Sequence, residues 1–77
     1  MTFDQMQFET MKIILNNNSE EIPGDSVSVN ELLSLKHFTF KMLIIKINSV
    51  LIKKAEYETA MISDGDDVTV LHLISGG

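Results

Sequence analysis

The chain has no cysteine and a single proline among its 77 residues. The first absence excludes a disulfide framework, a thiolate nucleophile and a thiolate zinc site. Basic residues are also few, six against eleven acidic ones, for a net charge of −5. Nucleic-acid binding needs basic surface to displace phosphate counterions, so this balance argues against it. It permits docking on a basic partner by electrostatic steering, and it serves equally to keep a small protein soluble. Long apolar runs are missing too. The longest, residues 42–45 (M-L-I-I), is far too short to cross a bilayer. The first ten residues, M-T-F-D-Q-M-Q-F-E-T, lack the basic start and apolar centre of a signal peptide, so a cytoplasmic protein is expected. At this length the chain makes one domain, of a size that buries only about 60% of its unfolded surface.

What is present is concentrated at the end, in D-G-D-D-V-T-V-L-H-L-I-S-G-G, residues 64–77. A tight acidic turn feeds an apolar strand over residues 68–74, and the strand runs almost directly into Gly76 and Gly77. Two residues without Cβ atoms make a thin, flexible rod that fits a narrow tunnel. The rod carries an α-carboxylate, which is ionised at neutral pH and can attack an electrophile such as the α-phosphate of ATP. Many chains end in frayed small residues, and a terminal Gly pair arises by chance about once in 200 chains. The pair gains force from the strand that reaches to within one residue of it.

Along the chain, residues 1–10 read as a disordered extension and residues 11–77 as the folded domain. Residues 11–16 (M-K-I-I-L-N) form a first strand, apolar on both faces as a central strand is. Asn17, Asn18 and Ser19 make a hairpin turn. A short second strand, residues 19–22, stops at Pro23, which cannot donate a ladder bond and so marks a sheet edge. In V-S-V-N-E-L, Ser28 and Glu31 form a capping box with Val27 and Leu32 at the staple positions. The helix therefore starts at Val29, ends by His37, and sets Val29, Leu32 and Leu33 on one face. Residues 42–47 form a third strand, Asn48 and Ser49 a turn, and residues 50–52 a fourth strand. Phe38 and Phe40 either extend the third strand or plug the core. Residues 55–61 read as a short helical turn with Tyr57 and Met61 as core caps.

Two hairpins separated by a helix, with the last strand free to lie parallel beside the first, describe an α+β fold. The expected architecture is a β-grasp, ubiquitin-like: a mixed sheet of four to five strands covered by one main helix. Within it, M-K-I-I-L-N, V-N-E-L-L, I-K-I-N, D-G-D-D-V and I-S-G-G resemble the ThiS family, the sulfur carriers of thiazole formation in thiamine biosynthesis. The resemblance spans residues 11–77. It departs from common members in the ten-residue extension, with Met11 the usual beginning, and where Ile52, Lys53, Lys54 and Tyr57 stand in place of a Val-Pro-Arg stretch followed by Trp.

The resemblance implies a cycle. A ThiF-like adenylating enzyme uses ATP to turn the Gly77 carboxylate into an acyl adenylate, sulfur from a cysteine desulfurase relay replaces AMP, and the thiocarboxylate passes sulfur to a ThiG-like thiazole synthase. The carrier catalyses nothing and binds no cofactor of its own. Gly77 is then the reacting residue, while Ser75 and Gly76 keep the threading tail slim. Leu71, Leu73 and Ile74 are the expected docking residues: if Val68 and Val70 face the core, Leu71 and Leu73 stand on the other face beside the tail. Readings that share the Gly pair are the small subunit of molybdopterin synthase and a ubiquitin-like protein modifier. A β-grasp interaction module without tail chemistry is a reading of another class. The free protein is expected to be a monomer. His37 and His72 lack a third ligand at metal spacing, and Asp64, Asp66 and Asp67 lack the spacing of a calcium loop and suit turn chemistry instead.

Overall fold

A computed structural model describes residues 10–39 and 42–73. Strand β1 (Thr10–Leu15) and strand β2 (Asn18–Pro23) form an antiparallel hairpin. Its turn is Asn16–Asn17, with φ of 52° and 70°, a two-residue connection whose positive φ values match the twist of the strands and favour asparagine. The turn thus falls one residue earlier than the sequence suggests, and β1 starts at Thr10, which pairs with Pro23. A second hairpin joins β4 (Leu43–Ile47) to β5 (Val50–Ile52) through Asn48 and Ser49, at φ of 51° and 71°. The last strand, β7 (Asp67–His72), lies between the two hairpins, parallel to β1 and antiparallel to β4. The sheet order is β2-β1-β7-β4-β5, which leaves β2 and its Pro23 at an edge.

Helix α1 (Val29–Leu35) covers one face of this sheet. The Ser28 hydroxyl accepts from the Glu31 amide at 3.1 Å, and the Glu31 carboxylate accepts from the Ser28 amide at 2.7 Å. The capping box is present as the sequence implies, and two further amides of the first turn donate to carbonyls of the segment at residues 57–60. Val29 bonds Ala60 and Asn30 bonds Tyr57, at 3.1 and 2.9 Å. A seven-residue helix is too short to persist alone; here a loop closes its start and Leu32, fully buried, anchors its middle. At the other end Lys36 pairs with Glu20 of β2 at 2.9 Å.

The core lies between helix and sheet: Met11, Ile13 and Leu15 of β1, Ile22 of β2, Ile45 of β4, Val68 and Val70 of β7, with Val27, Val29, Leu32 and Ile62 opposite. Although β1 is an interior strand, only this face of it is covered. Lys12 and Ile14 stand on the open face, so its apolar run reflects position in the sheet and not burial on two sides.

The segment before β7 differs from the helical reading. Only Lys54–Glu56 coils, as a 3-10 turn, and β6 (Met61–Ser63) follows, pairing with β3 (Ser26–Ser28) in a two-stranded second sheet. Period-two alternation there puts Ile62 in the core opposite Val27 and turns Met61 outward, 49% exposed. Met61 is therefore not a core cap, whereas Tyr57 does pack against the core. Phe38 also packs there, outside any strand, with its amide donating to the Leu33 carbonyl at 2.8 Å. Phe40 lies outside the described residues.

The parallel contact of β1 with β7 is short, and a side chain extends it. Asn16 accepts from the Val70 amide at 2.8 Å and donates to the Val70 carbonyl at 3.1 Å. We expect Asn16→Gly, which keeps the positive φ but removes both bonds, to cost about 1–3 kcal/mol of unfolding free energy. Asn17→Gly, with the same backbone relief and no bond to β7, should stay within about 0.5 kcal/mol. Urea unfolding of the two variants makes the comparison.

Candidate functional site

The site is built on β7, the strand that leads to the chain end. Its mount starts at the acidic turn, where Gly65 takes φ of 87°, a conformation that costs glycine little. The turn is tied to three elements. The Asp64 carboxylate accepts from the Lys12 amide of β1 at 2.8 Å, and the Gly65 amide donates to the Lys12 carbonyl at 2.8 Å. Asp66 accepts from the Ser63 amide of β6 at 2.8 Å and from the Asn48 side chain at 3.0 Å. Asn48 in turn accepts from the Asp67 amide at 2.9 Å and donates its own amide to the Asp67 carbonyl at 2.7 Å. The carboxylates of Asp64 and Asp66 are spent on turn geometry, while Asp67 takes part through its backbone.

From this base β7 alternates. Val68 and Val70 are buried under α1, while Leu71 and Leu73 stand on the open face, 52% and 45% exposed. His72 is exposed on the helix side, where Leu43 pairs with it. At the far end the Leu73 amide donates to the Met42 carbonyl at 2.9 Å. Ile74, Ser75, Gly76 and Gly77, the remaining residues expected in threading, docking and reaction, lie outside the described residues.

The structure joins Leu71 and Leu73 to neighbours that sequence reasoning missed. Ile44 of β4 lies opposite Leu71, and Met42 and Leu51 are each more than half exposed. The stretch that holds Met42 and Ile44, M-L-I-I-K-I, is apolar at five of six positions, so its own alternation is hidden. Only the pairing with β7 reveals that Ile44 and Lys46 share the open face. Met42, Ile44, Leu51 and Leu73 also line a groove of about 790 Å³ that continues around the β5 edge to Leu33, Phe38 and Tyr57 on the helix side. Among the described residues no group of three potential ligands could hold a metal ion, and no helix is long and apolar enough to cross a membrane.

A mixed sheet of two hairpins bridged by the C-terminal strand, with one helix on one face, defines a ubiquitin-like β-grasp protein. In sequence, its last strand is followed within four residues by the diglycine end. The ThiS family profile matches residues 8–77, and the chain belongs to that family. The fold is similar to the crystal structure of a thiamine biosynthesis protein (ThiS) from Geobacter metallireducens, with a TM-score of 0.75 and 28% identity, over 87% of this chain and all of that one. In sequence the chain is also similar to an uncharacterized protein, ycf40, of Trieres chinensis, 24% identical over 71 residues that cover 92% of this chain and 97% of the relative.

Because Leu71 and Leu73 already face solvent, their removal leaves no cavity. Leu71→Ala and Leu73→Ala are each expected to change stability by less than about 1 kcal/mol, whereas Leu32→Ala in the core should cost about 2–5 kcal/mol. Thermal or urea unfolding separates the two classes.

Proposed function

We propose that this protein is a sulfur carrier whose Gly77 carboxylate is adenylated and then converted to a thiocarboxylate that donates sulfur for thiazole formation. The observation that carries this reading is membership of the ThiS family over residues 8–77, which includes the diglycine end. The chemistry is consistent with the composition. A chain without cysteine holds no sulfur nucleophile, so the sulfur has to come from a partner, here a cysteine desulfurase relay. Adenylation makes the carboxyl carbon electrophilic, with AMP as leaving group, and a terminal glycine crowds neither attack. The adenylating enzyme is ThiF-like and uses ATP, the acceptor is a ThiG-like thiazole synthase, and the carrier has no catalytic role.

The geometry of the mount limits how these partners work. Four residues follow Leu73, at most about 14 Å of fully extended chain. An enzyme that reacts with Gly77 must therefore hold its catalytic centre within that reach of the β7 end, and Leu71 and Leu73 are the nearest described apolar contacts for it, with Ile74 next along the chain. The family match and the likeness to a thiamine biosynthesis protein favour this reading over the small subunit of molybdopterin synthase or a protein modifier.

Incubation with the adenylating enzyme, ATP and a sulfur source tests it. Intact mass spectrometry should show the replacement of one carboxylate oxygen by sulfur, and a variant lacking Gly77 should show no change. Conversion of the truncated variant, or none of the full chain by an enzyme active on other carriers, contradicts the proposal. Gly77→Ala, which adds a Cβ beside the reacting carbonyl, is expected to slow conversion by at least about tenfold, equivalent to about 1.4 kcal/mol in the barrier.

A further inference from the structure

The groove beside the tail base has a charge opposite to that of the protein. Of its thirteen described lining residues none is acidic and two, Lys53 and Lys54, are basic, in a chain with a net charge of −5. Its walls are otherwise largely apolar: Leu33, Phe38 and Tyr57 on the helix side, Ile44, Leu51 and Leu73 on the sheet side. Among the described residues Lys36 and Glu20 form the one ion pair, so neither Lys53 nor Lys54 has a counterion there. The nearest acid in sequence, Glu56, is turned to the backbone and accepts from the Lys53 amide at 2.9 Å. Lys46 adds a third cation on the open face beside Leu51, its partner across the β4–β5 hairpin.

Resting on the sulfur-carrier reading, we propose that this groove takes an apolar segment of the adenylating enzyme whose flanking carboxylates meet Lys53 and Lys54. The overall charge points to a basic partner surface; the local charge at the tail base requires an acidic one. A second copy of this chain is a poor occupant. A two-fold interface through the groove sets the same patch against itself and brings like charges together. The first nine residues, with Asp4 and Glu9 among Phe3, Met6 and Phe8, are the other occupant to test: a variant lacking them should bind the enzyme within about twofold of the full chain, and markedly tighter binding, the mark of a groove filled by the chain itself, overturns the inference. A separate chain already has to approach Leu73 to reach Gly77. Its apolar side chains fill the groove and its carboxylates desolvate against the two ammonium groups. The lysines then fix the orientation in which the tail enters the active centre.

The test is titration of the adenylating enzyme with the full chain at about 0.05 M and about 0.5 M salt, using K53E/K54E and, as a control with the same change in net charge outside the groove, K12E/S19E/S34E. Lys53, Lys54, Lys12, Ser19 and Ser34 are all exposed, and circular dichroism checks the fold of each variant. K53E/K54E should bind about tenfold more weakly at low salt, with the difference shrinking at high salt, and K12E/S19E/S34E should lose no more than about twofold. Equal binding of K53E/K54E and wild type, or equal losses in the two charge variants, overturns the inference. The two readings fail separately. If the enzyme converts Gly77 of K53E/K54E as fast as that of wild type, the carrier reading stands without an acidic groove partner. If the lysine pair governs binding but Gly77 is never altered, the docking inference stands and the carrier reading falls.

Discussion

The structure depends on how β7 is fastened between two hairpins that do not touch each other within the sheet. Backbone pairing with β4 is long, over residues 43–47 and 68–72, but pairing with β1 covers two register positions. Two asparagines make up the difference. Asn16 and Asn48 occupy equivalent places, each the first residue of a positive-φ turn, and each bonds the β7 backbone through its side chain. One residue type thus meets two demands, since asparagine tolerates the left-handed conformation and also carries both a donor and an acceptor. The acidic turn fixes the start of the same strand, through Asp64 to β1 and Asp66 to β6 and Asn48. The strand that leads to the chain end is held by side-chain bonds at its base and by packing along one face.

Covering only one face has a cost in exposed apolar surface and a use. Met42, Leu51, Leu71 and Leu73 all retain more than two-fifths of their exposure. On a monomer such clustering marks contact surface, and here it surrounds the end of β7. The core on the other face is compact, and its buried side chains come from both hairpins, the helix and both strands of the small second sheet.

Local signals in the sequence placed most of this correctly. The capping box of Ser28 and Glu31, the Asn-Ser turn at residues 48 and 49, Pro23 at an edge, and the alternation that puts Leu71 opposite Val70 are all decided by neighbouring residues. What was hidden is decided by distant ones. Ser26–Ser28 and Met61–Ser63 are three-residue strands that gain their identity only by pairing across more than thirty residues, so residues 55–61 looked helical and Met61 looked internal. Ile44 belongs to an unbroken apolar run whose facing is set by β7, and the groove at Lys53 and Lys54 exists only once β5 is folded beside the helix. The Asn16 turn slipped by one position because three asparagines in succession satisfy turn chemistry equally well.

The central place of β7 also ties the fold to the chain end that the proposed carrier chemistry would use. The hairpins at either end of the sheet are joined by a strand that is made last, and Ile14 meets Asp67 only across fifty-three positions of sequence, a separation that delays folding. A chain cut short anywhere before β7 lacks the piece that unites the sheet and, by the same loss, the terminal carboxylate. Such a fragment cannot act as a folded decoy, occupying a partner with a sound docking face and no tail. The presence of β7 is thereby read out as tertiary structure.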